Sequence, residues 1–294
     1  MSRFALPALA ALCLVGCAAA GQSRALPRDG DALAQARFVA LRASPARVIY
    51  LGETHDNPAH HAYQTHVLAA LLDSGARPAL AFEMLTQDQQ HEMDLAMADG
   101  VAGAALDRQL KWTQRGWPGF AMYQPLFDLA ARYGLPVIAA DLDQATVRRI
   151  TKEGLGTLAE PERDRLSSRL PDDAAREARI ERDVMDAHCG MLPRAGVPRM
   201  VEAWHARNVA MARRIAAGLD GGGQIVVIIG RGHQAPGGLP DQLEALRPDT
   251  RQFVVDFTEE GDTEPTSEPG PEHFTWLTAG VERGDPCAAL ERQR

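Results

Sequence analysis

The stretch "VIYLGETHDNPAHH", Val48 to His61, joins an apolar and β-branched run to a turn crowded with ligand-type side chains. The run "RVIYLGE" has no polar alternation, so it predicts a strand buried on both faces, of the kind found in parallel sheets. Pro58 suits the first turn of a helix, and "HAYQTHVLAALL" repeats its apolar residues at intervals of three and four, which predicts a helix through Leu72. Strand, turn and helix form the opening unit of an α/β fold. Between them sit Glu53, His55, Asp56 and Asn57. Capping is the expected role of Asp56 or Asn57, just ahead of Pro58. His60, His61 and His66 fall on the helix, where an isolated histidine is expected on the surface.

The same reading extends along the chain. "ARPALAFEML", "LPVIAADL", "GGGQIVVIIGRGH" and "RQFVVDF" read as four more buried strands. Helices are expected over Asp31 to Arg42, Thr86 to Ala98, Phe120 to Tyr133 and Asp241 to Leu246, with Thr86 and Gln89 resembling a capping box. From Gln144 to Gly218 almost no strand signal remains. Several helices are expected there, with breaks at Gly154 to Pro161, at Pro171 and at Gly190 to Pro198. Thr258 to Glu272 is acidic and Pro-rich and reads as a solvated loop. The expectation is a single α/β domain over residues 31–294, with a mostly parallel sheet, helices on both faces and a helical insertion at about 144–218 in its second half.

Composition bounds the function. A chain of 294 residues with 45% hydrophobic content can bury a sizeable core. A net charge of -8, with no dense Lys/Arg block, argues against a nucleic-acid partner. The N-terminus, "MSRFALPALAALCLVGCAAAGQ", has a cation at Arg3, an apolar run from Phe4 to Val15 and small residues around Gly16 and Cys17, the pattern of an export signal too short to span a bilayer. Leu14-Val15-Gly16-Cys17 resembles the bacterial lipobox, which implies a signal peptide over residues 1–16, lipid on Cys17 and a tether over residues 17–30. Ala18 in place of an aspartate resembles lipoproteins passed on to the outer membrane, facing the periplasm or the cell surface. Of the remaining cysteines, Cys189 and Cys287 either pair in an oxidising compartment or stay as buried thiols.

Polar groups gather where the predicted strands end: Glu53 and His55 after the first, Glu83 in the second, Asp141 in the third, Arg231 and His233 after the fourth. Ligands of parallel α/β sheets sit beyond the carboxyl ends of the strands, so Glu53, His55, Glu83 and His233 are expected to share one pocket. The same set would suit a divalent metal, with a second carboxylate as general base towards bound water, in a hydrolase. No HExxH or GxSxG motif accompanies it.

"YLGETHDNPAHHAYQTHVL", "LAFEMLTQDQQ", "GWPGFAMYQPLFDLAARYGLPVIAAD", "DAHCGMLP", "WHARNVAMARRIAAG" and "VVIIGRGHQAPGGLPDQL" follow one another in an order that resembles the ChaN-type haem-binding uptake lipoproteins. The resemblance covers roughly Arg47 to Leu243. It implies an outer-membrane lipoprotein of iron uptake in which two copies of the chain enclose haem, with a tyrosine as axial ligand. The family likeness extends distantly to erythromycin-esterase and TraB-type proteins, in which Glu and His near the first strand do hydrolytic chemistry, in line with the hydrolase alternative. Glu53, His55, Glu83, His188, Cys189 and His233 lie inside matching motifs, as does Tyr123, the axial candidate. Trp112, Trp117, Met122 and Tyr123 are candidate walls for the ring, and Lys111 or Arg115 for its propionates. Two departures stand out: "GRGH" replaces a pattern with asparagine before the last glycine, and the third strand ends in aspartate.

Overall fold

The computed structural model describes residues 29–261, 272–284 and 287–288; the signal, Cys17 and nearly all of the tether lie outside them. Six strands, β1 (Val48–Glu53), β2 (Ala79–Thr86), β3 (Val137–Asp141), β4 (Ile225–Gly230), β5 (Gln252–Glu259) and β6 (His273–Thr278), form one sheet in the order β3-β2-β4-β1-β5-β6. Every pairing is parallel. The apolar runs explain the arrangement, because both faces are covered. Ile49, Leu51, Val226 and Ile228 enter one core, while Val48, Tyr50, Ile225, Val227 and Ile229, one residue out of step, enter the other.

The first core is roofed by α1 (Asp29–Ala43), α2 (Pro58–Asp73), α3 (Gln90–Ala98), α4 (Gly103–Leu110) and α5 (Phe120–Tyr133). On the second face lie α9 (Val197–Gly218) and α10 (Leu239–Leu246), with α6 (Gln144–Glu153), α7 (Glu160–Leu166) and α8 (Ala174–Ala187) packed on α9. Helices α6 to α9 are the expected insertion. Direction along the sheet explains the segregation: β1 to β3 progress one way across it, whereas β3 to β6 progress the other, and crossovers of one hand then fall on opposite faces. At the carboxyl ends of the adjacent strands β1 and β4 the chain leaves to opposite sides, which opens a crevice at this switch point.

Three expectations are corrected and one open alternative is decided. The second strand does not stop near Glu83: it runs to Thr86, and four residue steps from Phe82 to Thr86 match two on β3, so Glu83 lies in a bulge within the strand. Thr258 and Glu259 extend β5 and are buried, and "HFTWLT" adds a sixth strand at the edge, while residues 262–271 lie outside the described residues. His60 and His61 point into the protein and are buried. Cys189 and Cys287, left open by the sequence, form a disulfide with Cα atoms 5.6 Å apart.

Candidate functional site

Asn57 caps α2, its Oδ1 accepting from Ala59 N at 2.9 Å, and Thr54 N donates to His60 Nδ1 at 2.8 Å. These bonds shape the turn after β1 so that Glu53 points inward, 1% exposed, at the centre of a buried polar network. Its Oε1 accepts from the Tyr123 hydroxyl at 2.5 Å and faces His55 Nδ1 at 2.9 Å. Its Oε2 accepts from Gln64 Nε2 at 2.6 Å and faces His61 Nδ1 at 3.2 Å. All four lone-pair directions are used. Burial pushes the Glu53 carboxyl up, but the two imidazoles outweigh it and hold the group at about 2. Burial likewise pulls His55 down, and the hydrogen bond to Glu53 with the Glu83 charge lifts it to about 9. His61 follows the same balance in the same direction, and each of its ring nitrogens faces only oxygens: Glu53, Gln64 and the His55 carbonyl.

A second network surrounds Glu83. Its Oε1 accepts from Arg207 at 2.8 Å and faces His233 Nε2 at 3.2 Å, and its Oε2 accepts from Gly230 N at 2.7 Å. Arg207 also grips both oxygens of Asp141, at 3.0 and 3.1 Å from its Nε. Burial raises Glu83, and His233, His55 and Arg207 overcome it, leaving the carboxyl well below its ordinary value. Asn208 bonds His233 Nδ1 at 2.9 Å while its amide donates to Trp204 O, and the Trp204 ring stacks on His233 at 6.1 Å. His55 joins the networks, with Nδ1 on Glu53 and Nε2 4.0 Å from Glu83. Gly230 makes that meeting possible, since a Cβ there would lie 2.7 Å from His55 Nε2.

Glu53, His55, Glu83 and His233 are therefore brought together; His188 is not. It ends α8, and its Nδ1 bonds Val184 O at 2.7 Å. Tyr123 is in the network but wholly buried. Among the candidate walls, Trp112 is core and Trp117 is partly buried, its ring edge-on to His55 at 5.1 Å. His61, Gln64, Arg207 and Asn208 belong to the site although the sequence reading gave them no role. The one available signal was "WHARN", where Arg207 and Asn208 interrupt an otherwise apolar helix face.

Above the networks the switch-point crevice opens as a cleft of about 380 Å³ lined by Glu53, Thr54, His55, Gly230, Arg231, Gly232, Glu259 and Arg283. His55, with 32% of its side chain exposed, is the member of the four that solvent reaches most readily. Among the described residues no group of three or more His, Cys, Asp or Glu side chains is arranged to hold a metal ion. The carboxylates are already committed: every Glu53 lone pair has a partner, and three donors converge on Glu83.

The family model for haem-binding uptake proteins of the Tiki superfamily, ChaN, matches residues 39–243. Among solved structures, cofacial haem binding to ChaN of Campylobacter jejuni gives a TM-score of 0.64 at 18% identity, covering 77% of this chain and 87% of that one, which shows a common fold. An erythromycin esterase in its open conformation gives a TM-score of 0.44 at 11% identity, covering 78% and 76% of the two chains. No curated protein sequence matches. With its model matched from the end of α1 into α10, across the strands β1 and β4 that open the crevice, the chain belongs to the ChaN family of haem-binding uptake proteins.

Proposed function

We propose that this protein binds haem for iron uptake at the crevice between β1 and β4, and that lipid on Cys17 tethers it to the outer membrane. The family match carries the reading, because it spans Glu53, His55, Gly230 and Arg231 of the cleft lining. The cleft is large enough for part of a ligand and carries the charged side chains Glu53, Arg231, Glu259 and Arg283 in its lining, and a cavity of its size does not enclose a porphyrin. A ring seated at its mouth therefore keeps one side open, and a second copy meeting this face covers that side in a symmetric dimer. Cofacial haem binding is what the similar Campylobacter structure describes. His55 and Tyr123 are the two candidate iron ligands. A ring at the cleft mouth meets His55 beside Trp117, whereas Tyr123 reaches iron only by giving up its bond to Glu53.

The metal-hydrolase alternative is disfavoured by the saturated carboxylates, which leave no oxygen of Glu53 for a cation or a reacting water. The test is a haemin titration of the Cys17→Ser protein. A saturable shift of the Soret band is expected, and the variant that changes it more, His55→Ala or Tyr123→Phe, identifies the ligand. No Soret shift, together with a stoichiometric divalent metal and ester or peptide hydrolysis that vanish in His55→Ala, would hand the site to the enzyme.

A further inference from the structure

Helix α1 does not look like a surface helix of a globular protein. Ala32, Ala36, Val39, Ala40 and Ala43 bury one side against the first core. The opposite side carries Leu33 (51% exposed), Phe38 (50%) and Leu41 (73%), three of the four large apolar side chains exposed among the described residues. The helix is thus apolar on both sides, a pattern that belongs to a helix covered on both sides. Core packing covers one; on the other, Phe38 meets the Phe274 ring of β6 edge-on at 6.0 Å, and among the described residues Leu33 and Leu41 stay the most exposed large apolar side chains.

Charge and chain position identify the cover. The chain is acidic, but residues 17–47 carry five arginines, Arg24, Arg28, Arg37, Arg42 and Arg47, against two aspartates, Asp29 and Asp31. Arg37 is exposed between Leu33 and Leu41 on the same helical row, each four residues from the next. Arg42 lies over the Phe38 and Phe253 rings at 5.9 and 5.3 Å, and with Arg251 and Glu272 it lines a pocket of about 180 Å³ beyond the end of α1. Apolar side chains flanked by arginines are the composition of a helix lying in a lipid headgroup region. Only 11 residues separate Cys17 from Asp29, at most about 40 Å of extended chain, so a lipid on Cys17 holds this helix within reach of the bilayer.

We infer that the outer side of α1 docks on an anionic phospholipid surface, with Leu33, Phe38 and Leu41 inserted at the boundary between headgroups and acyl chains. The inference rests on the tethered-lipoprotein reading for its geometry. Docking would fix the orientation of a domain that a flexible tether alone leaves free to tumble.

The test uses the full lipoprotein in phosphatidylethanolamine/phosphatidylglycerol vesicles, with an environment-sensitive dye on Leu41→Cys or, as control, on Leu95→Cys, the fourth exposed apolar residue, which lies on α3. Brominated acyl chains should quench the dye at position 41 by roughly half and leave position 95 nearly unchanged, and Arg37→Glu should weaken the effect. Equal emission at the two sites overturns the inference. So does a concentration-dependent shift at position 41 without vesicles, which would mean that a second copy covers the helix. The mass of the mature protein reports separately whether Cys17 carries lipid; without that lipid, the same dye measured on added vesicles still decides for or against α1.

Discussion

At Glu53, a buried carboxylate is kept ionised by the imidazoles of His55 and His61, and the two imidazoles are kept protonated by it. This mutual support has a pH signature. The Glu53 group moves from 4.5 to about 2 on folding, so its contribution is present above 4.5 and is lost as pH falls towards 2. His55 moves from 6.5 to about 9, so its contribution is complete below 6.5 and disappears as pH rises to 9. His60, buried between Thr54 N and Thr278 Oγ1, is pulled down by burial to about 4 and withdraws stability as pH falls from 6.5. The melting temperature should therefore peak near pH 6.5 and fall on both sides. In His55→Asn the alkaline decline should become shallower, the Glu53 part of the acid limb should shrink with the lost imidazole, and the His60 part should stay. Thermal unfolding across pH 3 to 10 decides it, and an alkaline slope unchanged in the variant would count against the Glu53–His55 pair.

At the level of strands and helices, the site depends on how closely β1, β2 and β4 approach one another. Gly52 and Gly230 are the contact points: a Cβ at Gly52 would overlap the Gln234 side chain, and one at Gly230 would press on His55 Nε2 at 2.7 Å and Glu83 Oε2 at 3.3 Å. Gly230→Ala should keep the far-UV circular dichroism of the parent, lose about 1–3 kcal/mol of stability and drop the His55 titration from about 9 towards 6.5, read by NMR. An unmoved His55 titration would show that β4 does not position the ring. The strand core and the convergence of four polar residues were legible in the sequence, because buried parallel strands read as unbroken apolar runs. The rest was hidden for identifiable reasons. His61 and Gln64 sit on a helix whose residues are apolar on several sides, so its wheel does not say which polar residue turns inward. Glu83 was visible but its bulge was not, since the shift against β3 is a property of pairing. Edge strand β6 is short and follows an acidic Pro-rich stretch that masks its start. Arg207 and Asn208 reach the site from α9, at the far end of the long insertion.

Across the whole molecule, the C-terminal segment ties the two helical layers together over the carboxyl edge of the sheet. Asn57 Nδ2 bonds Ala279 O at 3.1 Å, and Arg283 bonds Asp56 at 2.6 Å and Glu259 at 2.6 Å, which anchors the segment to the turn that leads into the first layer. Four residues later, Cys287 is bonded to Cys189, which follows α8 of the second layer. The segment thus borders the cleft, with Arg283 in its lining. A disulfide closing a loop of 98 residues stabilises mainly by restricting the unfolded chain, so Cys287→Ser should cost about 2–4 kcal/mol in urea unfolding. The ion pairs give an independent readout. The Arg283 hydrogen bonds are the main reason the Glu259 carboxyl sits at about 2. If the disulfide holds the segment in place, Glu259 should titrate closer to 4.5 in the variant, and haemin binding at the cleft should change with it. A Glu259 that still titrates near 2 after the disulfide is removed would mean that the arginine clasp stands alone, and that the disulfide serves stability without shaping the site.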